Sequence, residues 1–138
     1  MKRLAVVAAV VLSVALLSGT RIRAHHSFAE FYFESQSVSI AGEVLEFEYR
    51  NPHTWLHVLV EDENGESRRY SAEWSNPNAL RRSGITAETL RPGDYVVVTG
   101  SPGRNPEENN LHLKGIERPA DGWEWTGREG RTRRRGRR

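Results

Sequence analysis

Gly42–Val60, GEVLEFEYRNPHTWLHVLV, is the stretch whose reading decides the fold. Leu56, Val58 and Val60 alternate with Trp55, His57 and Leu59, the period-2 pattern of a strand with one face on a core. Upstream, Val38, Ile40, Gly42 and Val44 share one parity, and the phase then blurs through Leu45, Glu46 and Phe47. A blurred phase after an early glycine predicts a bulged, strongly bent strand that serves two sheets or closes a barrel. Between the strands stands Asn51-Pro52-His53. Pro52 has no N–H for a ladder and drives Asn51 out of the helical region, so a tight corner is specified locally.

The remaining strands follow from turn chemistry. Glu63-Asn64-Gly65 is a strong tight-turn signal and introduces a third strand, Ser67–Trp74. There Tyr70, Ala72 and Trp74 are expected inside, and Arg69, Ser71 and Glu73 outside. Ser75-Asn76-Pro77 caps a short helix, Asn78–Arg82, which ends at Gly84. Thr86–Leu90 reads as a further helical turn, and Pro92-Gly93-Asp94 turns into a fourth strand, Tyr95–Gly100. Ser101–Asn110 holds two prolines and three asparagines and is expected to be an exposed, mobile loop before a fifth strand, Leu111–Glu117. Trp123 and Trp125 are expected to lie back on the barrel. The aromatic segment His25–Gln36 is expected to pack over one end of it.

Three strands, a helix and two strands describe a mainly β domain: a small five-stranded OB-like barrel with a short helix between strands 3 and 4. A small sandwich, or a barrel closed by an extra strand from the N-terminal arm, are the alternatives.

The two ends of the chain differ from its body. Lys2 and Arg3 precede the apolar run Leu4–Leu17, and SGTRIRA ends on Ala24. The run is short for a membrane span and matches a secretory signal, so residues 1–24 are expected to be removed and His25 to begin a periplasmic or secreted protein. The chain has no cysteine, which excludes disulfides and a lipoprotein anchor. Residues 25–126 carry nine Lys+Arg and seventeen Asp+Glu, a net charge of −8. Residues 127–138 carry seven arginines and Glu129, a net +6, and their composition predicts a disordered tail. The pI near 9.3 therefore reflects the ends, and an acidic exported body is not expected to bind nucleic acid. About 100 mature residues support one core, and the domain is expected to be a monomer.

His25-His26-Ser27-Phe28, Asn51-Pro52-His53-x-Trp55, Ser75-Asn76-Pro77-Asn78-Ala79-Leu80 and Leu90-x-Pro92-Gly93-Asp94 occur in that order. In this combination the chain resembles a family of small exported bacterial proteins classed as a domain of unknown function. The resemblance spans roughly residues 25–118 and implies an exported OB-like domain, with no activity to carry over. The arginine-rich tail is not part of it.

Histidine is the main carrier of chemistry. A mature N-terminal His25 offers its α-amine and ring Nδ1 to one metal, and a second imidazole would complete a copper(II) site. His53, in its rigid corner, is the first choice for that ligand, followed by His26 and then His57. The plainer reading is a solvated His25-His26 pair and a His53 that hydrogen-bonds its own turn. His57 and His112 occupy strand positions expected to face outward, as surface residues. Trp55, His57 and Trp74 could line a ligand face, although the four tryptophans are also what a small barrel needs for packing.

Glu43, Glu46 and Glu48 read as a solvated acidic strand edge, and no nucleophile elbow or phosphate-cradling loop is present, so no catalytic residue is assigned and no enzyme is expected. Two roles remain. One is a binding domain for copper or a small ligand. The other is an interaction module for an envelope protein, with the basic tail touching an anionic surface.

Overall fold

A computed structural model describes residues 28–127 in full and residues 131–134 as backbone alone. The expected signal at residues 1–24, together with His25 and His26, lies outside the described residues. In chain order the elements are α1 (Phe28–Phe31), β1 (Val38–Glu48), β2 (Trp55–Glu61), β3 (Ser67–Glu73), α2 (Pro77–Arg82), β4 (Tyr95–Pro102), β5 (Asn110–Arg118), β6 (Trp123–Thr126) and β7 (Arg131–Arg134).

Strands β3, β2, β1, β4 and β5 are neighbours in that order, and β3 also pairs with β5, so the five close on themselves. Every pairing within the barrel is antiparallel except the closing one, where Ser71–Glu73 run parallel to Asn110–His112. With α2 between β3 and β4, this is the OB barrel expected from the strand order. Asn76 caps α2 by accepting a hydrogen bond from the Ala79 amide at 3.0 Å, and Pro77 fills the first helical position.

The bend in β1 has an identifiable cause. Its register against β2 slips between Val44 and Glu46, leaving Leu45 as the extra residue of a bulge. Before the bulge Gly42 and Val44 face inward. After it Phe47 takes the inner side, and Glu46 and Glu48 move outside. At the same bend the Pro92-Gly93-Asp94 turn clasps β1: the Val44 amide donates to the Asp94 carbonyl at 2.8 Å, and the Gly93 amide donates to the Val44 carbonyl at 2.9 Å.

The core is built from Val44, Leu56, Val58, Trp74, Val98 and Ile116, each at most 1% exposed, with Leu80 and Ile85 of the α2 region against them. Burying each such side chain contributes about 1.5–3 kcal/mol before conformational entropy is subtracted. Trp123 and Trp125 do lie back on the barrel: Trp125 meets Trp74 edge-on at 4.9 Å. They do so as strand β6, paired to the far half of β5.

Three expectations need correction. Strand β4 continues past Gly100 to Pro102, with Ser101 buried, because β5 supplies partners that far. Thr86–Leu90 is not helical; its turn is held by the Thr89 hydroxyl accepting from the Thr86 amide at 2.8 Å. Arg131–Arg134, inside the tail expected to be disordered, pair with β6. The open edge of β6 presents unpaired backbone groups, which tail composition does not reveal.

Gly42 lies opposite the β2 backbone, where an added Cβ would stand 2.1 Å from the Leu59 carbonyl oxygen. Backbone cannot yield as a side-chain tip would. Gly42→Ala is therefore expected to cost about 3 kcal/mol or more, read as a lowered urea midpoint with an unchanged slope.

Candidate functional site

The closing pair of strands ends in two residues that carry the site. Glu73 terminates β3, where it is the cross-strand partner of Trp55 on one side and of His112 on the other. Its two carboxylate oxygens are both used. Oε2 accepts from the Tyr32 hydroxyl at 2.6 Å, and Oε1 bonds Nδ1 of His53. One carboxylate thus ties the β1–β2 loop and the N-terminal segment to the barrel wall.

The loop holding His53 is fixed from its other side as well. The Tyr49 hydroxyl lies 2.8 Å from the Pro77 carbonyl and 3.0 Å from the Ile85 carbonyl. Thr54 bonds the chain after β3 through both backbone groups, its amide to the Ser75 carbonyl and its carbonyl to the Trp74 amide. His53 therefore sits on a framed turn, with its side chain 38% exposed.

Segment 28–36 lies across this rim as the expected aromatic packing arm. The Phe28 ring stacks on His112 at 3.7 Å and 12°, and on its other neighbour, His53, at 5.6 Å and 28°. Tyr32 is 3% exposed. The Phe33 amide donates to the Pro102 carbonyl at 2.9 Å and the Arg104 amide to the Phe31 carbonyl at 2.8 Å. Arg104 also lays its guanidinium over the Phe33 ring at 4.4 Å and donates from Nε to the Ala29 carbonyl. Farther along, Glu34 bonds both Lys114 and His112.

These elements enclose a groove of about 740 Å³. Its walls are α1, Pro52 and His53 of the β1–β2 loop, Trp55, Glu73, and the β4–β5 loop with Arg104, Asn105, Glu108 and Asn110. That loop, expected to be mobile, is braced internally: the amides of Asn105 and Asn110 donate to the two oxygens of Glu108 at 2.9 and 2.8 Å.

Burial, together with the hydrogen bond to Glu73 and its charge, pushes the Tyr32 phenol well above its ordinary 10. Burial likewise lowers His112 from 6.5, and the Lys114 charge adds to this, against the opposing pull of Glu34. Burial works to raise the Glu34 carboxyl, yet hydrogen bonds from Lys114 and His112 outweigh it and hold the group below 4.5.

The structure places the sequence-derived site residues apart. Trp55 and His53 share the groove, whereas Trp74 lies inside the barrel at 1% exposure. His57 faces outward as expected but is not a surface residue: it is 6% exposed, with Nδ1 2.9 Å from the Ser71 hydroxyl and Nε2 3.1 Å from Glu48. Flanking strands cover it because the β1 bulge turns Glu46 and Glu48 outward beside it. Ligand atoms of Glu46, Glu48 and His57 lie within 4.8 Å of one another. Arg50 pairs with Glu48 and Arg69 approaches Glu46 at 4.0 Å, so positive charge already faces both carboxylates.

Glu73, Tyr32 and Glu108 were not singled out as site residues from sequence. Alternation marks Glu73 only as outward-facing, and nothing in a strand pattern says that an outward face will be roofed by the N-terminus.

The two depressed pKa values have the same consequence for the N-terminal clasp. His112 is bound in its neutral form and Glu34 in its charged form, so both contributions are complete above about pH 6.5. Lowering the pH below 6.5 progressively removes the His112 part, and continuing below 4.5 removes the Glu34 part. Protection of the Phe33 amide, taken relative to its intrinsic exchange rate at each pH, is expected to fall in these two steps on acidification, and Glu34→Gln should abolish the lower one. The Tyr32 phenol should also stay protonated in an ultraviolet titration at pH values where a free tyrosine, at about 10, has ionised.

No curated protein matches this chain. Among solved structures, the crystal structure of the mitochondrial single-stranded DNA binding protein Rim1 from S. cerevisiae is similar over 61% of this chain and 92% of its own, at 16% identity and a TM-score of 0.48. Residues 11–112, which contain the barrel through the start of β5 and every groove residue, match the model of one family, so the chain belongs to the family of unknown function DUF6152.

Proposed function

We propose that this protein is an exported, non-enzymatic binding domain whose ligand site is the groove between the β1–β2 and β4–β5 loops. The observation that supports this reading is the coincidence of place and chemistry. OB folds take their ligands on the face of strands 2 and 3 and on these two loops. Here that location is a recess of about 740 Å³ with aromatic walls and a few fixed polar groups. Export rests on the charged start and apolar run of residues 1–24.

Within the groove the finer assignment is a copper(II) ion held by His53 together with the α-amine and ring of His25. Glu73 engages Nδ1 of His53, the usual support of a ligating imidazole, and leaves Nε2 for a metal. Among the described residues Nε2 has no hydrogen-bond partner. Phe28, three residues after His25 in the sequence, has its ring centroid 5.6 Å from that of His53. Tetragonal nitrogen ligation suits copper(II).

The test uses protein secreted by its own leader. Intact mass is expected to begin at His25, and titration should show one copper per chain. Affinity should drop sharply in His53→Ala and by about tenfold or more in Glu73→Gln. A different first residue, or undiminished copper uptake by His53→Ala, would remove the copper assignment and leave the groove.

A further inference from the structure

The groove's charge and its open aromatic surfaces point to a class of ligand. Three carboxylates line it, Glu30, Glu73 and Glu108, against one guanidinium, Arg104. Arg104 is already committed, stacked on Phe33 and bonded to the Ala29 carbonyl. Glu108 is held at the groove wall by two side-chain amide donors. The body around the groove is acidic, with seventeen Asp+Glu against nine Lys+Arg in residues 25–126.

The aromatic side chains divide in two. Phe28 lies between His53 and His112, and Tyr32 is buried, so both serve the clasp. Phe31 and Trp55 are different. Phe31 is 57% exposed, the most of any large apolar side chain among the described residues, and it stands at the groove with Trp55. An apolar ring left in water beside fixed carboxylates is favourable when a cation with an organic body covers it. The ring quadrupole and the carboxylate then both attract the positive centre, and the body removes apolar surface from water.

We propose that the groove binds a small organic ammonium ion between Phe31 and Trp55, with Glu108 and Glu30 as its counter-charges. This rests on the groove being the binding site and does not require a metal. Anionic ligands are opposed by the same carboxylates, and a neutral ligand would forgo both charge terms.

Three probes of one shape and different charge test this on the full chain: choline, the neutral alcohol with carbon in place of its nitrogen, and the anion tert-butylacetate. Binding is followed by the NMR signals of the Trp55 indole N–H and the Asn105 and Asn110 side-chain amides. Choline should shift these signals and bind about tenfold or more tightly than the alcohol, weakening as salt is added. Glu30→Gln, at an exposed groove position, should cost choline part of that advantage while leaving the alcohol unchanged. Phe31→Ala, at an exposed position that should not disturb folding, should weaken choline as well. Equal binding of the alcohol, or preference for the anion, overturns the ammonium assignment while the groove stands. No shift at these residues with any probe overturns both.

Discussion

The structure depends most on the short parallel pairing of Ser71–Glu73 with Asn110–His112. Without it the five strands would be an open, twisted sheet with two edges. With it they form a barrel whose interior fills with Leu56, Val58, Trp74, Val98 and Ile116. The same closure brings Glu73 and His112 side by side at one rim. That rim is where α1 docks, where His53 is held and where the groove opens. Closure and site are consequences of one set of backbone hydrogen bonds.

Around that rim, one carboxylate links parts of the chain that are distant in sequence. Tyr32 and His53 reach Glu73 from 41 and 20 residues away. A buried hydrogen bond to a charged acceptor contributes more than a neutral one, and leaving such a carboxylate without donors would be costly. The N-terminal segment is therefore a structural member of the binding rim. Whatever enters the groove meets α1 as one wall, and the histidine clasp behind it makes that wall sensitive to acid.

The β1 bulge organises the neighbouring patch of the same sheet face, beside Trp55. One extra residue, Leu45, reverses which side chains of β1 face out and so gathers Glu46, Glu48 and His57. Arg50 and Arg69 face these carboxylates, and the Ser71 hydroxyl hydrogen-bonds His57. The groove differs in that its carboxylates outnumber its cations. Two acidic clusters on one small barrel thus have different characters: Arg50 and Arg69 face the carboxylates of one, whereas Arg104 in the groove turns to Phe33 and the Ala29 carbonyl.

Much of this was present in the sequence. Alternation in Trp55–Val60, the Asn-Gly and Pro-Gly turns, the Asn76-Pro77 cap and the blurred phase after Gly42 determined five strands, one helix, their order and the bend, because these are local preferences of two to six residues. They also marked His53 and Trp55 as worth attention. What only the tertiary structure decided are relations between segments: that Trp74 faces the core and not a ligand, that His57 is covered, that Arg131–Arg134 find an edge on β6, and that Glu73, Tyr32 and Glu108 surround a groove. Local pattern assigns a side chain to the inside or the outside of its own strand. Whether an outside becomes surface, clasp or binding wall depends on what later or earlier chain is laid across it, and that is set by barrel closure rather than by neighbours in sequence.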